Sequence, residues 1–579
     1  MPRLLSALLI VGLLSWMGVP VAQAQDDPQL PEIAPREFEI RGQAQVSFPS
    51  LERQPLRGFA SPPSIPTLPP QRRPFVDVAS YEQSLSGLPD RLPDDPALPS
   101  RLQTAPPPAM GSLTSSLGRY LFRSLDGTLS FPLSSTETLS LRGRYDGLSG
   151  HTPFEDADTE TPYNTFDGAV QFATHREAVS FEADLHGFWD DYTLYGVDSP
   201  IGVPTTPSIP DRTGRSFGTT LALHTTGRLP LDLSLTFDRS AYETAPDTLQ
   251  DPTVFDESRL AVDGGVSFPV GPTEARADAS LVTAGLDGGA FAGDLVSFDG
   301  GGDALVVRLG PYRVRAGLRV LTFRAVLDPS RDDSGDASAT FIAPTFDARW
   351  RPLDAVEVYA RNAPHVRTPS LPDVYQQNPF IEAQPSVRPT LETTNAETGV
   401  TVSTGPVRWT AYGGFRYAPS YAFFEPGLRI TPTSNRLDGV FQASYDGVQV
   451  WRGGGQVALE GTESIQSALR IELRDATLTD TERAVPNVAG FILENTTTVA
   501  FLDDAAQIDV AASVEGPRYV DRQETEQVDA FVDLDVTAAY RMLPGVDVRL
   551  GLHNLGAMER WNGYPRPPAV ITTGFRLHW

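Results

Sequence analysis

The sequence predicts an all-β fold: a transmembrane antiparallel β-barrel of about 22 strands, preceded by a Pro-rich, irregular N-terminal segment. Three observations lead to this prediction. They are an N-terminal export signal, a long region in which apolar and polar residues alternate, and connections that are short and long in turn. Hydrophobic residues make up 40% of the 579 residues, which suits strands with one face in lipid and the other in water.

Residues 1–24 have the pattern of a secretory signal peptide. Arg3 precedes an apolar run over residues 4–21, and the small-residue sequence Ala-Gln-Ala follows at 22–24. A retained membrane anchor is the alternative, but the closeness of this cleavage sequence favours removal. No later stretch reaches about 18 uninterrupted apolar residues. Only a closed barrel could then cross a membrane, since every backbone group must be hydrogen-bonded there.

Residues 25–115 form a separate Pro-rich region. Eighteen of the 52 prolines lie between residues 25 and 110. Because proline lacks an N–H donor and fixes φ, regular strands and helices are disfavoured there. One interpretation is a disordered periplasmic tail. The other is a segment that lies inside or against the barrel, favoured by apolar residues that a linker does not need. These are Phe38, Phe48, Phe59 and Phe75.

Residues 116–579 are predicted to form the barrel. Over residues 231–238, Leu and Phe take the odd positions, whereas Asp, Ser and Thr take the even ones. Over residues 469–474, Leu and Ile alternate with Arg and Glu. Successive side chains of a strand point to opposite sides, so each stretch has one apolar and one polar face. At about 21 residues per strand and connection, the region holds roughly 22 strands.

Connections between the predicted strands alternate in length. Short ones near 175–177 and 310–311 alternate with long ones near 191–213 and 363–392. Short turns at one rim and long loops at the other are typical of outer-membrane barrels. The pattern therefore predicts a location in the cell outer membrane, with the C-terminus at the short-turn rim, in the periplasm.

The C-terminal strand, residues 570–579, is predicted to close the barrel. Its odd-numbered residues form a mostly apolar face that ends on Trp579. Phe575 and Trp579 are the expected barrel-closing aromatics on the lipid side, where an aromatic ring suits the membrane interface. The even-numbered residues, Arg576 among them, are expected to face the lumen.

Nine charged residues on the polar faces are candidates for the lumen wall. One interpretation is a solute path lined by paired charges, as in a filter. The other is a lattice of internal salt bridges that only holds the wall together, and the interspersed signs favour this lattice. The candidates are Arg313, Arg315, Arg319, Arg470, Glu472, Arg474, Asp533, Asp535 and Arg576.

Composition argues against several functions. The net charge of -27 argues against nucleic acid as a partner. Because cysteine is absent, there is no disulfide and no thiolate metal site. The seven histidines are scattered, and no nucleophile can be placed beside a base. We therefore expect no enzyme activity and no catalytic, cofactor or metal site.

Two stretches in the second half of the chain carry a family resemblance. Residues 359–375 read Tyr-Ala-Arg-Asn-Ala-Pro-His-Val-Arg-Thr-Pro-Ser-Leu-Pro-Asp-Val-Tyr, and Asn378-Pro379 and Glu397-Thr-Gly399 follow. The tail contains Asn554-Leu555, then Tyr-Pro-Arg-Pro at 564–567, then the closing aromatic strand. In this order these stretches resemble the mid-barrel region and the ending of TonB-dependent receptors. The resemblance covers residues 340–579 and implies the outer-membrane barrel of that family.

The resemblance implies a barrel that binds or passes a solute across the outer membrane. The family has a globular plug domain ahead of the barrel, whereas residues 25–115 show no plug-like alternation of strands and helices. The resemblance therefore extends to the barrel and leaves energised import open. A scaffold for a surface lipoprotein or an outer-membrane assembly partner is the alternative function. Expected partners are outer-membrane lipids and the barrel-assembly machinery, with a surface lipoprotein or an energy-coupling protein left open.

Overall fold

The structure is a computed structural model that describes most of the chain from residue 110 onward. The predicted signal peptide and residues 25–109 of the Pro-rich region lie outside the described residues. The described residues are 110–152, 160–194, 211–227, 229–245, 252–271, 273–288, 292–326, 337–426, 441–460, 464–556 and 569–579.

Twenty-two strands form one closed antiparallel barrel. The barrel strands are β1 (Gly111–Gly118), β2 (Arg123–Pro132), β3 (Glu137–Leu148), β4 (Tyr163–Arg176), β5 (Val179–Thr193), β6 (Asp211–Thr225), β7 (Leu231–Ala245), β8 (Thr253–Val270), β9 (Thr273–Asp287), β10 (Ala292–Leu309), β11 (Tyr312–Val326), β12 (Ala337–Leu353), β13 (Val356–Asn362), β16 (Thr394–Thr404), β17 (Val407–Pro426), β18 (Phe441–Leu459), β19 (Ile465–Leu478), β20 (Phe491–Phe501), β21 (Ala506–Glu515), β24 (Phe531–Leu543), β25 (Val546–His553) and β26 (Val570–His578).

Shorter elements lie in the connections. They are a 3-10 turn (Arg119–Leu121), β14 (His365–Arg367), helix α1 (Leu371–Gln377), β15 (Thr390–Glu392), β22 (Arg518–Tyr519) and β23 (Gln527–Val528). Among the described residues, no helix is both long enough and apolar enough to cross a membrane.

The barrel closes where its first and last strands pair. β1 and β26 run antiparallel along their length, and the backbones of Gly111 and Trp579 exchange two hydrogen bonds of 3.1 Å. A Cβ on Gly574 would collide with the backbone oxygen of Ser115, so glycine permits the close approach at this seam. Because β1 begins at Gly111, the sheet includes residues ahead of the predicted boundary at 116.

The outer face of the barrel is apolar. On β7 the alternate residues from Leu231 to Phe237 are all exposed, and the polar residues between them lie on the opposite face. On β26, Phe575 and Trp579 are 54% and 56% exposed. An exposed apolar face around a closed barrel is a surface for lipid. Both of these aromatic residues are thus exposed in the structure, and their contact with lipid stays a prediction.

Aromatic rings mark both edges of this apolar band. Near the short turn at 310–311, the rings of Tyr312 and Trp350 stack with centroids 5.7 Å apart. Phe166 and Trp189 lie opposite each other on β4 and β5, near the other rim. About ten residues separate each of them from the turn at 177–178. At about 3.3 Å per residue and a strand tilt of about 40°, this length of strand spans about 25 Å along the membrane normal. This height fits the hydrocarbon layer, and the predicted fold class and outer-membrane location are confirmed.

Turn chemistry explains the short-turn rim, where Trp579 also lies. Gly310 and Gly405 have positive φ values of 57° and 59°, and a proline follows each of them. Glycine at the first central position and proline after it suit a type II′ hairpin, which matches the strand twist. The connection over 363–393, between β13 and β16, belongs to the opposite, long-loop rim.

Candidate functional site

The connection over residues 363–393, here called the inner segment, lies inside the barrel. Its ring Tyr375 stacks on Tyr242 of β7, with centroids 3.9 Å apart. Tyr242 is on the same face of β7 as Asp232 and Asp238, opposite the exposed apolar residues. The inner segment therefore packs on the polar face of the wall, which is the lumen side.

Helix α1 forms because of its local sequence. Ser370 is the N-cap: its Oγ accepts a hydrogen bond from the Asp373 backbone N–H (3.3 Å), and the Asp373 carboxylate accepts one from the Ser370 N–H (2.9 Å). This reciprocal capping box, with a proline in the first turn, starts the helix at a defined residue. Leu371, Val374 and Tyr375 form its buried face, so the short helix is stabilised by packing on the wall.

Burial also affects the phenol of this helix. Desolvation raises the pKa of Tyr375 above its ordinary value. The hydroxyl therefore stays neutral and donates a hydrogen bond to the backbone oxygen of Ala383 at 2.8 Å. This bond joins the helix to the chain that follows it.

A buried carboxylate on β8 binds the start of the helix. Glu257 accepts a hydrogen bond from the Leu371 N–H at 2.8 Å and another from the Ser240 hydroxyl at 3.3 Å. Arg259 lies 3.9 Å from Glu257 and donates to the backbone oxygen of Thr368 at 2.8 Å. Unpaired N–H groups and the positive end of the helix dipole make this terminus a good partner for a carboxylate.

A second contact involves a predicted lumen residue. Arg319 donates to Asp299 on β10 at 2.8 Å, and the other carboxylate oxygen of Asp299 accepts from the Val366 N–H at 3.1 Å. The hydroxyls of Ser297 and Thr368 are 2.7 Å apart. Arg319 thus orients a carboxylate that binds the inner segment.

A third attachment is a buried guanidinium on β6. Arg212 has no exposed surface. Its Nη1 donates to the backbone oxygen of Pro379 (2.9 Å), its Nη2 to that of Ile381 (2.8 Å) and its Nε to the hydroxyl of Thr244 (3.0 Å). The rigid fork of donors suits three fixed acceptors, and the guanidinium also lies 4.7 Å from the centroid of the Tyr375 ring.

The same short stretch is bound from the other side of the barrel. Phe441, the first residue of β18, donates its N–H to the oxygen of Phe380 (3.0 Å) and accepts from the Glu382 N–H (2.8 Å). β6 and β18 lie on nearly opposite sides of the 22-strand ring. Residues 379–382, here called the crossing residues, therefore bridge the barrel near its long-loop rim.

One further connection, between β21 and β24, packs against the crossing residues. Phe441 packs with Val520 and Val528 of the connection between β21 and β24, and Phe380 packs against this cluster. In the same connection, Arg522 forms ion pairs with Glu425 at 3.0 Å and Asp446 at 2.9 Å. The long-loop rim is thus an ordered, interlocked structure over these residues.

The nine predicted charges do not form one site. Arg315 pairs with Asp303, and Arg319 pairs with Asp299 and Asp278. Arg470 and Arg474 flank the fully buried Glu472 on β19, six strands further round the barrel than β11. In the strand register, Arg313 lies opposite Arg308 and Arg349, and Asp533 lies opposite Ser513. Asp535 accepts a hydrogen bond from the Asn554 N–H at 3.0 Å. Arg576 lies 3.4 Å from the hydroxyl of Thr114. Ion pairs between strands at Arg315 and Arg319, and within β19 at Glu472, favour the lattice interpretation.

The residues that bind the inner segment were not among the sequence candidates. Arg212 and Glu257 carry no local sequence signal, because their importance depends on strands far along the chain. The Ser370-x-x-Asp373 capping pattern was available in the sequence. A Gly-x-Ser-x-Gly pattern also occurs at 214–218, but it lies within β6, paired on both sides, and not on the strand-turn-helix of a nucleophile elbow.

Comparison with known proteins identifies the architecture. No family model matches the sequence, and no curated protein is similar to it in sequence. Among solved structures, the FrpB iron transporter from Neisseria meningitidis superposes with a TM-score of 0.62 at 10% identity, covering 81% of this chain and 82% of that one. The ferric-catecholate import receptor Fiu from K12 E. coli gives 0.59 at 12%, covering 81% and 82%. The copper transporter OprC gives 0.58 at 12%, covering 81% and 80%.

These likenesses concern the fold. The barrel has the fold of TonB-dependent receptors, as the resemblance of residues 340–579 implied. The similar structures are described as transporters and receptors.

Proposed function

We propose that this protein binds or passes a solute across the outer membrane through the barrel lumen, and that it does so without a catalytic step. One observation carries the proposal: the crossing residues 379–382 bridge the lumen between β6 and β18. A barrel of this width cannot be filled by its own side chains, so an ordered segment across its mouth divides or narrows the route of a solute. The similar structures, which include iron and copper transporters, support passage of a solute over a scaffold role.

The inner segment is suited to border a solute route. Its attachments are buried and include two charged side chains, Arg212 and Glu257, so it is held in one position. A constriction built this way selects solutes by size and polarity at the mouth, before they reach the paired charges farther along the wall.

The proposal includes residues 25–110 as a second segment that narrows the route through the lumen. β1 begins at Gly111, hydrogen-bonded to Trp579 at the short-turn rim, so the Pro-rich region joins the barrel at its periplasmic end. Backbone without regular structure is tolerated at membrane depth only where it lies in protein or in a watery cavity.

Removing residues 26–110 while keeping the signal peptide should leave a folded barrel with larger conductance in planar bilayers. Cells that produce this truncated protein should also be more sensitive to bulky antibiotics. Migration on unheated and heated denaturing gels checks that the barrel is folded. If neither form conducts, the solute-path proposal fails and the scaffold alternative replaces it. If both conduct equally, residues 25–110 are a tail outside the lumen.

A further inference from the structure

The outer face of β1–β4, at the β1–β26 seam, carries an apolar groove that passage through the lumen does not use. It has a volume of about 250 Å³ and is lined by residues that include Leu113, Leu125, Tyr145 and Phe166. Leu125 and Phe166 are each 45% exposed, so the groove opens on the lipid side. A groove of this kind in a lipid-facing wall has the dimensions of part of an acyl chain.

The floor of the groove follows from strand register. Gly127 lies opposite Gly143, Gly143 opposite Gly168, and Gly168 opposite Gly187. A Cβ placed on Gly143 would meet no atom within 4 Å, so the floor is low and open. The row of residues directly above it is large and apolar or aromatic: Leu125, Tyr145, Phe166 and Trp189.

A polar cluster lies at the end of this groove that is nearer the long-loop rim. Arg123, two residues before Leu125 on the same face of β2, donates from Nε to the hydroxyl of Tyr145 (2.7 Å) and from Nη2 to Oδ1 of Asn164 (2.8 Å). The Tyr145 hydroxyl also donates to Asn164 Oδ1 at 2.9 Å. A Cβ on Gly147 would lie 2.8 Å from the Tyr145 hydroxyl oxygen, so glycine leaves space for the cluster.

The charge of this cluster is not neutralised within the barrel wall. Arg315, Arg319 and Arg470, on the lumen face, each pair with carboxylates. Within the part of the chain that the structure describes, Arg123 has no ion pair, and both of its hydrogen-bond partners are neutral. The neighbouring outer-face carboxylate, Asp191, lies one strand beyond Asn164 in the register and accepts from the Thr213 hydroxyl at 3.1 Å. Arg123 is therefore positioned for an anion from outside the protein.

We propose that Arg123, with Tyr145 and Asn164, binds the phosphate of a phosphorylated glycolipid of the outer leaflet, while one acyl chain of that lipid lies in the adjacent groove. The position of Arg123 in the membrane indicates that its ligand is a lipid headgroup. Arg123 follows the 3-10 turn at the rim opposite Trp579, at the level where the apolar band ends, so it meets the headgroups of the outer leaflet. A guanidinium fork binds phosphate oxygens in a bidentate manner, and a basic group beside an apolar groove recognises both parts of an anionic lipid.

The test uses the full-length protein in detergent and native mass spectrometry. The probes are bisphosphorylated lipid A, the same glycolipid without phosphate, phosphatidylglycerol and inorganic phosphate. We expect Arg123→Gln to weaken binding of the bisphosphorylated glycolipid about tenfold, as expected for loss of a charge-assisted contact. The dephosphorylated glycolipid should bind wild type and this variant equally.

Two further variants make the result decisive. Arg142→Gln, on the lumen face of β3 where Arg142 pairs with Asp167 at 3.4 Å, is the matched control and should bind like wild type. Gly143→Leu fills the groove and should weaken binding of the glycolipid without affecting inorganic phosphate. Equal binding by the Arg123 and Arg142 variants, or equal binding of phosphatidylglycerol and the glycolipid by wild type, would overturn the proposal. Binding of inorganic phosphate as tight as that of the glycolipid would also overturn it, since the groove would then contribute nothing.

Discussion

The Arg212→Met variant should conduct more current than the parent protein, with frequent transitions to a larger open level. Methionine fills much of the same space but donates no hydrogen bond. The backbone oxygens of Pro379 and Ile381 then lose the hydrogen bonds from Arg212, and Pro379 keeps only the longer one from the Tyr192 hydroxyl at 3.3 Å. Each such loss costs about 1–3 kcal/mol, so the crossing residues should detach from β6 part of the time. Single-channel recording in planar bilayers measures this directly.

The matched control for this variant is Arg215→Met. Arg215 lies three residues along the same strand, on the opposite face, and is exposed. Its replacement should leave conductance unchanged. Both variants should be recorded in the full chain and without residues 26–110, since the Pro-rich region is proposed to limit the lumen as well. Equal traces for the two arginine variants in both backgrounds would show that Arg212 does not hold a barrier.

A larger and steadier increase in conductance is expected when the inner segment is replaced by a hairpin. Asn362 lies opposite Ala396, and the Ala363 N–H donates to the Asn395 oxygen at 3.0 Å, so Pro364 and Thr394 face each other across the strand pair. Joining them through Asn-Gly in place of residues 365–393 makes a two-residue hairpin of a favoured type. The 22-strand ladder stays continuous, because the inner segment contributes no barrel strand.

This hairpin variant should also be less stable than the parent protein. It exposes the cluster of Tyr242, Phe255 and Leu286, which the inner segment buries. It also removes the inner-segment partners of Arg212 and Glu257, so that only their wall partners Thr244 and Ser240 remain bonded to them. The control replaces residues 327–335, another connection of the long-loop rim, by Asn-Gly, next to the last pair of the β11–β12 register, Ala325 and Ala337. Shortening this connection should change conductance little. An equal increase in both variants would mean that any loop at this rim limits the current.

The barrel could be predicted from the sequence because the features that determine it, alternation and turn residues, are local in the chain. Alternation along residues 231–238 depends only on the two-residue period of a strand, and the paired Gly-Pro turns at 310 and 405 depend only on backbone φ. The same two-residue period predicts that Phe575 and Trp579 share one face of the closing strand, and both side chains are exposed in the structure. A closed barrel of 22 strands then follows from the number of such strands.

The candidate site could not be predicted because its causes are distant in the chain. Arg212 meets Pro379 and Ile381 across 167 and 169 residues, and nothing near Arg212 distinguishes it from the arginines of the wall. The connection over 363–392 was recognised as long, and its motif was recognised as a family feature. This connection folds inward because of the wall residues that it contacts. A single sequence gives no information on contacts between residues so far apart.

The central claim is that the inner segment lies inside the barrel against the wall, and a disulfide tests it most directly. The chain has no cysteine, so the pair Ser297→Cys and Thr368→Cys is the single possible link. The hydroxyls of these residues are 2.7 Å apart, which places their Cβ atoms close to disulfide range. Mild oxidation of outer membranes should link the pair without loss of the folded, heat-modifiable form. The control pair Ser297→Cys and Thr404→Cys, whose second residue lies at the short-turn rim, should not link. Failure of the first pair to link in a folded barrel, or equal linking of both pairs, would contradict an inner segment held inside the lumen.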